Sequence, residues 1–440
     1  MLSCSLELED LYEGAKKVLE GNWNGKFTIP SPTLYPHLWS WDSCFIAMGN
    51  SYFNSDRAMK ELKYLLNAQW KNGMIPHIVF NEKEKTYFPS ADFYDVTRSP
   101  DAPEHVGTSG VTQPPVHALA CFYIYLNSDD KGKSKEFLRE VYPNLLRFHR
   151  FLMCERDPER SGLVTLFHPW ESGRDDSPVW DDALARVKIT KMPKFKRLDI
   201  LAVDEAAQRP TNEEYDRFIY LIELMKQKNY DQRMLYEKFP FKIKDVTFSG
   251  ILYIANRILS HIADLIGEDA GEILEWISRA EQNFHKFFSG TDGLFYDYDL
   301  IVNKRIFKRT ISSIPLYSGL VSDQEAKALV RWISDADFCA DYDTVASTDE
   351  KDSYFKSVTY WRGPIWINSN WGLWLGLLHY GYNERAEQIR QGVFKLVQNQ
   401  GFREYFEPTT GRGLGGKNFS WTAALVVDMI KMKNPPLSML

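Results

Sequence analysis

Apolar residues recur along most of this chain at the spacing of amphipathic helices. From residue 251 to 265 they fall at i, i+3, i+4 and i+7, which places them on one face of a helix, and Gly267 ends the run. The stretch 273–287 repeats the pattern after a short turn, so the two helices are expected to form an antiparallel hairpin. Roughly a dozen segments fit this pattern, which predicts a mostly helical protein.

Two sequence signals mark the starts of further helices. Thr211 with Glu214, and Ser322 with Glu325, have the Ser/Thr-x-x-Glu spacing in which both side chains satisfy free backbone amides at a helix N-terminus. Each pair therefore predicts a capped helix that begins directly after the Thr or Ser.

Strand signals are few, short and repeated. At residues 72–77, 161–164, 292–297 and 400–405 an amphipathic helix ends, a Gly follows, and a brief apolar or aromatic run comes next. Gly permits the positive φ of a tight turn after a helix. Repeated helical hairpins that carry loops on one face are typical of a toroid. We therefore expect an all-α fold, an (α/α)6 barrel of helical hairpins with short strands in the loops of one face.

The chain shows no composition shift, Pro-rich linker or low-complexity tract, so we expect a single domain over residues 1–440. The one long region without clear periodicity is 81–115, which is rich in Asp, Ser, Pro and aromatic residues. Irregular stretches of this length in a compact domain are usually functional or mobile. This region is expected to border the functional site as a lid-like loop.

The charge balance argues against several classes of partner. The chain has 53 Lys and Arg against 59 Asp and Glu, a net charge of −6, and so lacks the basic excess that nucleic acid or an anionic membrane surface attracts. No apolar stretch approaches the ~20 residues needed to span a bilayer. Neither nucleic acid nor a membrane is expected as a partner.

The N-terminus and the cysteines favour a cytoplasmic protein. Residues 1–16 are acidic and lack the basic start and apolar run of a signal peptide. The five cysteines are scattered without CxxC spacing, which indicates reduced thiols rather than a disulfide framework or a zinc site. The nine histidines also lack ligand spacing, and we expect neither a metal nor a cofactor.

Aromatic residues are abundant, with 13 Trp, 23 Tyr and 27 Phe. Tyr and Trp have an apolar face and a polar edge, which suits them to pockets that bind sugars. Large helical proteins also bury many aromatic residues in their cores. Only the positions of these residues along the chain can distinguish a sugar-binding pocket from core packing.

Two acidic segments lie among aromatic residues in the loops that follow a helix-ending Gly. They are residues 168–178, His-Pro-Trp-Glu-Ser-Gly-Arg-Asp-Asp-Ser-Pro, and residues 401–411, Gly-Phe-Arg-Glu-Tyr-Phe-Glu-Pro-Thr-Thr-Gly. Glycoside hydrolysis needs two carboxyl groups, one protonated and one ionised, and partial burial raises a carboxyl pKa towards the working pH. These segments are the candidate sources of such a pair, although most single acids in loops are merely exposed to solvent.

Two aromatic segments complete the candidate site. Residues 35–43, Tyr-Pro-His-Leu-Trp-Ser-Trp-Asp-Ser, place three aromatic rings and an acid before a helix. Residues 360–371, Tyr-Trp-Arg-Gly-Pro-Ile-Trp-Ile-Asn-Ser-Asn-Trp, combine rings with an Arg and two amides. Both are typical of the walls of a pocket for a neutral polyol, and helix packing is the alternative explanation for each.

With these four motifs in this order, the chain resembles glycoside hydrolase family 63 from about Tyr35 to about Asp428. The closing motif continues through Phe419-Ser420-Trp421-Thr422. The resemblance implies an inverting α-glycoside hydrolase with Asp175 as general acid and Glu404 as general base. Relatives often have Asn at the position of Asp176, so Asp176 stays open as an alternative acid.

The resemblance also implies which residues contact the substrate. His77 would lie near the aglycone. The residues at the sugar-contacting positions of the family are Tyr35, Trp39, Trp41, Asp42, Tyr87, Gln113, Trp170, Gly173, Tyr360 and Trp366.

Within the family the chain looks most like the compact hydrolases of mannosylglycerate and glucosylglycerate, because it lacks large accessory domains. In those enzymes an Arg and a Tyr on a mobile loop help to hold glycerate, which implies a second lid-like region near 200–216 with Arg209 and Tyr215 in these roles. A guanidinium fork matches a carboxylate geometrically. The expected partner is a small-molecule glycoside.

Other functions remain open on the sequence. Another family 63 α-glucosidase or a trehalase-like hydrolase would share both carboxyl groups without needing Arg209. A sugar epimerase on a similar toroid would use His as acid and base, and a non-catalytic carbohydrate-binding protein would keep the aromatic residues but not need Glu404. The sequence does not distinguish glucose from mannose, or glycerate from glycolate or glycerol, because these differ by single contacts.

Overall fold

The computed structural model describes residues 2–334, 341–433 and 435–436. Its helices in chain order are α1 (Leu2–Gly21), α2 (Ser40–Asn50), α3 (Ser55–Leu66), α4 (Ala91–Tyr94), α5 (His117–Asn127), α6 (Lys131–Glu155), α7 (Asp181–Ala185), α8 (Asn212–Gln227), α9 (Gln232–Lys238), α10 (Val246–Ile266), α11 (Gly271–Asn283), α12 (Asp323–Ser334), α13 (Ile367–His379), α14 (Asn383–Gln400) and α15 (Ser420–Lys431). Its strands are β1 (Leu38–Trp39), β2 (Ile78–Val79), β3 (Thr165–Leu166), β4 (Ile243–Lys244), β5 (Tyr298–Asp299), β6 (Lys304–Arg305), β7 (Arg403–Phe406) and β8 (Gly413–Lys417).

The helices are arranged as two concentric layers. The inner layer runs in the order α2, α5, α10, the 3-10 turn Leu316–Ser318, α13 and α15, and α15 packs against α2 to close the ring. Outside it, α1 packs on α15, α3 on α2, α6 on α5 and α10, α11 on α10, and α14 on α13. The expected (α/α)6 barrel is confirmed.

One inner position of the ring is a short turn where a helix was expected. Pro315 lies directly before Leu316–Ser318, and Gly319 ends the turn with φ 65°. A Cβ atom at Gly376 of α13 would lie 2.5 Å from the carbonyl carbon of Leu316. The backbone of α13 therefore packs directly on this turn, and the absence of a side chain at Gly376 is what permits the approach.

The predicted helical hairpin is present with one difference in length. Helix α10 ends at Gly267, which has φ 85° as a left-handed C-terminal residue. Helix α11 stops at Asn283 rather than continuing to residue 287, because the chain tightens there into the 3-10 turn Phe284–Lys286. The second helix of the hairpin is therefore shorter than its hydrophobic pattern suggests.

Both predicted helix starts are confirmed. The backbone N–H of Thr211 donates to Glu214 Oε2 at 2.7 Å, and the N–H of Glu214 donates back to Thr211 Oγ1 at 3.3 Å. Ser322 and Glu325 make the same reciprocal pair at 2.7 and 3.3 Å. These pairs begin α8 and α12.

Four strands follow the predicted glycines, but only Gly401 directly follows a helix. Helices α3, α6 and α11 end at Leu66, Glu155 and Asn283, well before Gly73, Gly162 and Gly293. Gly73, Gly162, Gly293 and Gly401 all have φ between 74° and 99°. Strands β2, β3 and β5 each start one residue after the predicted segment, whereas β7 begins within the last segment and ends one residue beyond it. The apolar residues next to the turns, such as Ile75, Val164 and Leu294, are buried in the core. The strands pair antiparallel as β1–β2, β3–β4–β5–β6 and β7–β8.

None of the helices in the described part of the chain is long and apolar enough to cross a membrane. Cys44 and Cys121 are buried free thiols, and Cys154 is an exposed one. The side chains of Cys4 and Cys339 lie outside the described residues.

Candidate active site

The loops of the barrel enclose a pocket of about 810 Å³. This pocket is lined by all but one of the site residues that the sequence predicted. They come from both lid-like regions and from all four motifs. The expected residues in its wall are Tyr35, Trp39, Trp41, Asp42, His77, Tyr87, Gln113, Trp170, Gly173, Asp175, Arg209, Tyr215, Tyr360 and Glu404. Side chains that are separated by up to 369 positions in the chain thus meet in one cavity.

Trp366 is the expected residue that does not line the pocket. Its ring stacks on Trp361 at 4.0 Å and on Tyr405 at 4.6 Å between ring centroids. Its indole N–H donates to the carbonyl oxygen of Tyr360 at 2.9 Å. Trp366 lies behind the wall and supports Tyr360 instead of facing the cavity.

The segment that carries Asp175 is held by a short 3-10 turn, Pro169–Ser172. His168 caps this turn, with Nδ1 accepting from the N–H of Trp170 at 3.0 Å. Gly173 then turns the chain with φ 70°, and a Cβ atom there would lie 2.4 Å from the Trp41 ring. The Gly therefore allows the segment to pack directly on an aromatic wall of the pocket.

Glu404 lies on β7, and the neighbouring strand β8 fixes its carboxylate. The N–H of Gly416 donates to Glu404 Oε2 at 2.9 Å. Gly415 has φ 62°, and a Cβ atom there would lie 2.3 Å from Glu404 Oε2. The β7–β8 hairpin thus brings backbone to within hydrogen-bonding distance of the carboxylate because Gly415 leaves room for it.

Three pocket side chains surround Glu404. The Tyr35 hydroxyl donates to Glu404 Oε1 at 2.8 Å, and Arg209 Nη2 donates to Oε2 at 3.0 Å. Arg209 Nη1 also donates to the Tyr35 oxygen at 2.8 Å, and the Tyr360 hydroxyl lies 3.2 Å from that oxygen. Because a tyrosine has one O–H and Tyr35 gives it to Glu404, Tyr360 is the donor in the last contact.

The Nε atom of the Arg209 guanidinium is free to bind a ligand. The guanidinium centre lies 4.6 Å from the centroid of the Tyr360 ring. Nη1 and Nη2 are paired, whereas the buried Nε has no hydrogen-bond acceptor in the protein. Leaving a buried donor unpaired costs about 1–3 kcal/mol, so an acceptor from a bound molecule would be stabilised at this point.

Asp175 and Glu404 have contrasting surroundings in the same pocket. Burial raises the pKa of Asp175 to about 8, against the lowering effect of Arg209, and the charge of Glu404 raises it further. Glu404 instead accepts three hydrogen bonds, one of them from a guanidinium. The site therefore holds one carboxyl group that keeps its proton at neutral pH beside one that accepts three hydrogen bonds.

Asp176 faces away from this pocket. Its Oδ1 lies 3.3 Å from Nε of Arg362, and neither of its oxygens lies in the pocket wall. Burial raises its pKa to about 8 as well, so the position of the side chain rather than its pKa distinguishes it from Asp175. Asp175 is the member of this pair that can reach a substrate in the pocket.

Asp42 is a third buried carboxyl group in the wall, in the first turn of α2. Burial raises its pKa well above the ordinary value, and the charges of Glu404 and Asp175 add to the effect. Gln113 Oε1 accepts from the N–H of Trp41 at 3.1 Å and so fixes the start of the same helix. A neutral Asp42 offers a hydroxyl donor and a carbonyl acceptor to a polyol.

The sequence prediction missed several residues of the wall. Trp421 is the most informative of them, because its buried indole N–H has no acceptor in the protein and could bind a sugar oxygen. Trp421 and Phe419 belong to the closing motif, so that motif was the available signal, whereas no sequence pattern marked Asp199. The missed lining residues are Leu34, Phe88, Pro89, Asp199, Pro210, Phe218, Phe419 and Trp421.

Across the described ranges, no group of three or more His, Cys, Asp or Glu side chains is placed to hold a metal ion. The polar groups of the pocket are carboxyl, hydroxyl, amide and guanidinium groups among aromatic rings. Such a set can bind a polyol, stack on a sugar ring, and donate and accept protons on opposite sides of a bond.

Comparison with known proteins gives a consistent result. A family model described as the mannosylglycerate hydrolase MGH1-like glycoside hydrolase domain matches residues 35–422. The mannosylglycerate hydrolase of Rubrobacter radiotolerans is 40% identical over 96% of this chain and 97% of that protein, and the glucosylglycerate hydrolase of Mycolicibacterium hassiacum is 36% identical over 94% and 96%. The crystal structure of the GH63 mannosylglycerate hydrolase from Thermus thermophilus in complex with Tris and D-glycerate superposes with a TM-score of 0.90 at 40% identity, covering 95% of this chain and 99% of that one.

Proposed function

Because this chain belongs to the mannosylglycerate hydrolase MGH1-like glycoside hydrolase family, we propose that it releases glycerate from α-mannosylglycerate or α-glucosylglycerate with inversion at the anomeric carbon. Membership of the family makes the chain an O-glycosyl hydrolase, which excludes the epimerase and the non-catalytic binding protein. Its relatives named for the mannosyl and the glucosyl substrate are 40% and 36% identical, so both sugars stay in the proposal.

The proposed chemistry is a single displacement. Asp175, which is protonated at neutral pH because burial raises its pKa to about 8, donates its proton to the glycosidic oxygen. Glu404 accepts a proton from a water molecule that attacks the anomeric carbon from the opposite face. The hydrogen bonds from Tyr35, Arg209 and Gly416 orient the Glu404 carboxylate and leave a lone pair for that water.

The surroundings of Arg209 are the observation that favours glycerate as the aglycone. Arg209 is 5% exposed, lines the pocket, and has a buried Nε without an acceptor. A carboxylate beside it would take this N–H and share the guanidinium fork with Glu404 and Tyr35. Glycerate carries such a carboxylate, whereas glycerol does not.

His77 and Tyr215 are proposed to complete the aglycone end. The His77 ring stacks near Trp170 with 6.2 Å between centroids, and Tyr215 lies 6.2 Å from the same indole. Burial lowers the pKa of His77 to about 3, so its ring is neutral and acts as a hydrogen-bonding group rather than as a cation. These rings share the pocket wall with Arg209.

The proposal extends to the whole chain and its location. We propose that residues 1–440 form one catalytic domain whose lid-like regions 81–115 and 200–216 cover the pocket. Support comes from Tyr87 and Gln113 of the first region and Arg209 and Tyr215 of the second, which all line it. The free thiols of Cys44, Cys121 and Cys154 are compatible with the proposed cytoplasmic location.

The test is a sugar-release assay with glucosylglycerate, mannosylglycerate and glucosylglycerol on the wild type and on Arg209→Ala. The wild type should prefer the glycerate-linked sugars. Loss of a charge-assisted contact of roughly 1.5–3 kcal/mol should lower kcat/KM for them by about 10-fold to over 100-fold in the variant. Because Arg209 also orients Glu404, glucosylglycerol should lose activity too, but by a clearly smaller factor.

Arg412→Ala is the matched control, because Arg412 belongs to the surface of the same region and pairs with Glu205 at 2.6 Å outside the pocket. It should leave all three rates nearly unchanged. Equal losses of glycerate-linked and glycerol-linked substrates in Arg209→Ala would contradict carboxylate recognition. That result would favour a general α-glucosidase or trehalase-like hydrolase.

A further inference from the structure

A buried arginine outside the pocket, Arg362, joins three acidic side chains from two segments of the chain, residues 176–181 and the first turn of α8. Its Nη1 and Nη2 donate to the carboxylate of Asp181, and Nη2 also donates to Glu214 Oε1 at 2.8 Å. Its Nε lies 3.3 Å from Asp176 Oδ1. The side chains of Arg362 and Asp176 are 5% and 1% exposed, whereas those of Asp181 and Glu214 are 32% and 21% exposed. We name Arg362, Asp176, Asp181 and Glu214 the Arg362 cluster.

Members of the Arg362 cluster are chain neighbours of pocket residues. Asp176 directly follows Asp175, and Glu214 directly precedes Tyr215. Arg362 itself lies two positions after Tyr360, which donates to Tyr35 beside Glu404. Asp175, Tyr215 and Tyr360 face the pocket while their neighbours face the cluster. The cluster therefore links three segments of the pocket wall on the side that faces away from the pocket.

Glu214 extends the connection to the segment that carries Arg209. Its Oε1 accepts from Arg362, while its Oε2 accepts from the backbone N–H and the hydroxyl of Thr211, both at 2.7 Å. Thr211 lies two residues after Arg209. One carboxylate thus caps α8 and anchors the start of that helix to the guanidinium.

The chemistry of the cluster requires an arginine. Three carboxyl groups surround one side chain, and contacts through Nε, Nη1 and Nη2 point in three directions from a planar fork. A lysine would retain the charge but offers a single nitrogen, which cannot hold all three acids at once. Arg362 thus places one guanidinium against three acidic side chains. Burial raises the pKa of Asp176 to about 8, so Asp176 is protonated at neutral pH.

We propose that Arg362 is a positioning residue that sets the general acid, Tyr360 and the Arg209-bearing segment relative to one another. It contacts neither substrate nor reacting atoms. Its effect passes through Asp176 to Asp175 and through Glu214 and Thr211 to Arg209. The roles of Asp175 and Arg209 rest on the proposed function, whereas the cluster itself rests on the contacts above.

The first test compares Arg362→Lys with Arg385→Lys. Arg385 is also buried, at 8% exposure, and donates to two backbone carbonyls, those of Asp343 and Ile333, away from the pocket. Both variants should lower the melting temperature. Arg362→Lys should in addition lower kcat on the glycerate-linked substrate by about 30-fold to 100-fold, because a misplacement of about 1 Å in an active site costs up to 10²-fold. Arg385→Lys should keep kcat per folded molecule within about threefold of the wild-type value, because this substitution affects stability only.

The second test separates the two arms of the cluster by Glu214→Gln. Gln at this position can still close the capping box, so α8 should keep its start while the charge facing Arg362 is lost. KM for the glycerate-linked sugar should rise about 10-fold with kcat less affected, since the Arg209 segment loses its anchor, and KM for glucosylglycerol should stay unchanged. Glu205→Gln, which alters a surface pair of the same region, is the control and should change neither constant.

The outcomes distinguish this inference from the proposed function. Wild-type protein that hydrolyses no glycerate-linked sugar would contradict the proposed function. If the wild type is active but Arg362→Lys keeps kcat within about threefold of it, the positioning role alone is contradicted. The same holds if Arg385→Lys loses as much kcat as Arg362→Lys. A Glu214→Gln variant with unchanged KM for both substrates would refute the link from Arg362 to the Arg209 segment.

Discussion

Asp175 and Glu404 lie in the same pocket but are surrounded by different partners. Burial raises the pKa of Asp175 to about 8, and Arg209 only partly opposes this. Glu404 accepts from Tyr35, Arg209 and the backbone of β8. In the proposed mechanism, environment rather than residue type distinguishes the acid from the base.

The pH dependence of hydrolysis should report the protonation of Asp175. An acid catalyst works only in its protonated form, so kcat should be retained below pH 8 and fall as pH rises through about 8, the pKa of Asp175. Asp175→Asn should lower kcat by several orders of magnitude with the fold intact, because the amide cannot donate this proton. Initial rates from about pH 5 to about pH 10 check both expectations.

Asp176→Asn is the control for that experiment, since Asp176 is similarly buried but faces Arg362. At neutral pH it should retain activity within about 10-fold, because the protonated carboxyl and the amide are similar in size and both are neutral. Loss of activity in Asp176→Asn with retention in Asp175→Asn would move the acid role by one residue.

The sequence indicated many residues of the site, but it did not indicate the contacts between them. The motifs indicated Asp175, Glu404 and Arg209, but the ion pair between Arg209 and Glu404 joins residues 195 positions apart. Among the described residues, Arg209 pairs with Glu404 and Tyr35 rather than with its acidic chain neighbours Asp204, Glu205 and Glu213. Periodicity and spacing describe local structure, whereas such pairs depend on how the whole ring closes.

At the level of elements, tight turns position the catalytic segments. Gly173 turns the Asp175 segment with φ 70° and lies against the Trp41 ring. Gly415 does the same beside Glu404 with φ 62°. In both cases a side chain would collide with the residues that form the pocket.

Gly173→Ala should therefore impair catalysis as well as stability. The new Cβ would lie 2.4 Å from Trp41, so the Asp175 segment or the ring must shift, and a shift of about 1 Å can cost 10²-fold in rate. Gly381→Ala is the matched control, with φ 78° and no atom within 4 Å of the new Cβ. Both variants should lose about 1–2 kcal/mol of stability from backbone strain, but Gly381→Ala should keep kcat. Equal kcat values for the two variants would contradict the steric argument.

Local chemistry made the helix starts and turns predictable, and packing decided the rest. The capping pair of Thr211 and Glu214 and the Gly267 end of α10 depend on a few adjacent residues, so the sequence located them. The 3-10 turn Leu316–Ser318 carries no helical pattern of its own, and only its packing on α13 makes it an inner element of the ring.

At the scale of the whole molecule, a buried carboxylate joins four helices of the inner ring. Asp428 of α15 accepts from Tyr52, just after α2, and from Trp371 of α13, both at 2.6 Å, and from Tyr123 of α5 at 3.2 Å. None of these residues lines the active-site pocket. This network is a feature of barrel closure rather than of chemistry.

Asp428→Leu should thus destabilise the barrel without changing the chemistry. The Trp371 indole can only donate, and leaving it and the two hydroxyls without an acceptor costs about 1–3 kcal/mol for each buried group. Thermal unfolding should show a clear fall in Tm, while KM and kcat per folded molecule should stay near wild type. Tyr52→Phe removes one donor and keeps the carboxylate, so its Tm should fall less. A loss of kcat without a change in Tm would contradict this assignment.

The central claim is inverting hydrolysis of an α-linked glycerate glycoside by Asp175 and Glu404, and the anomer first released tests it most directly. Proton NMR at early times, before mutarotation, should show the β-anomer of the sugar together with free glycerate when α-mannosylglycerate or α-glucosylglycerate is the substrate. Release of the α-anomer would require a covalent intermediate and a nucleophile, which would contradict the assignment of Glu404 as a base that activates water.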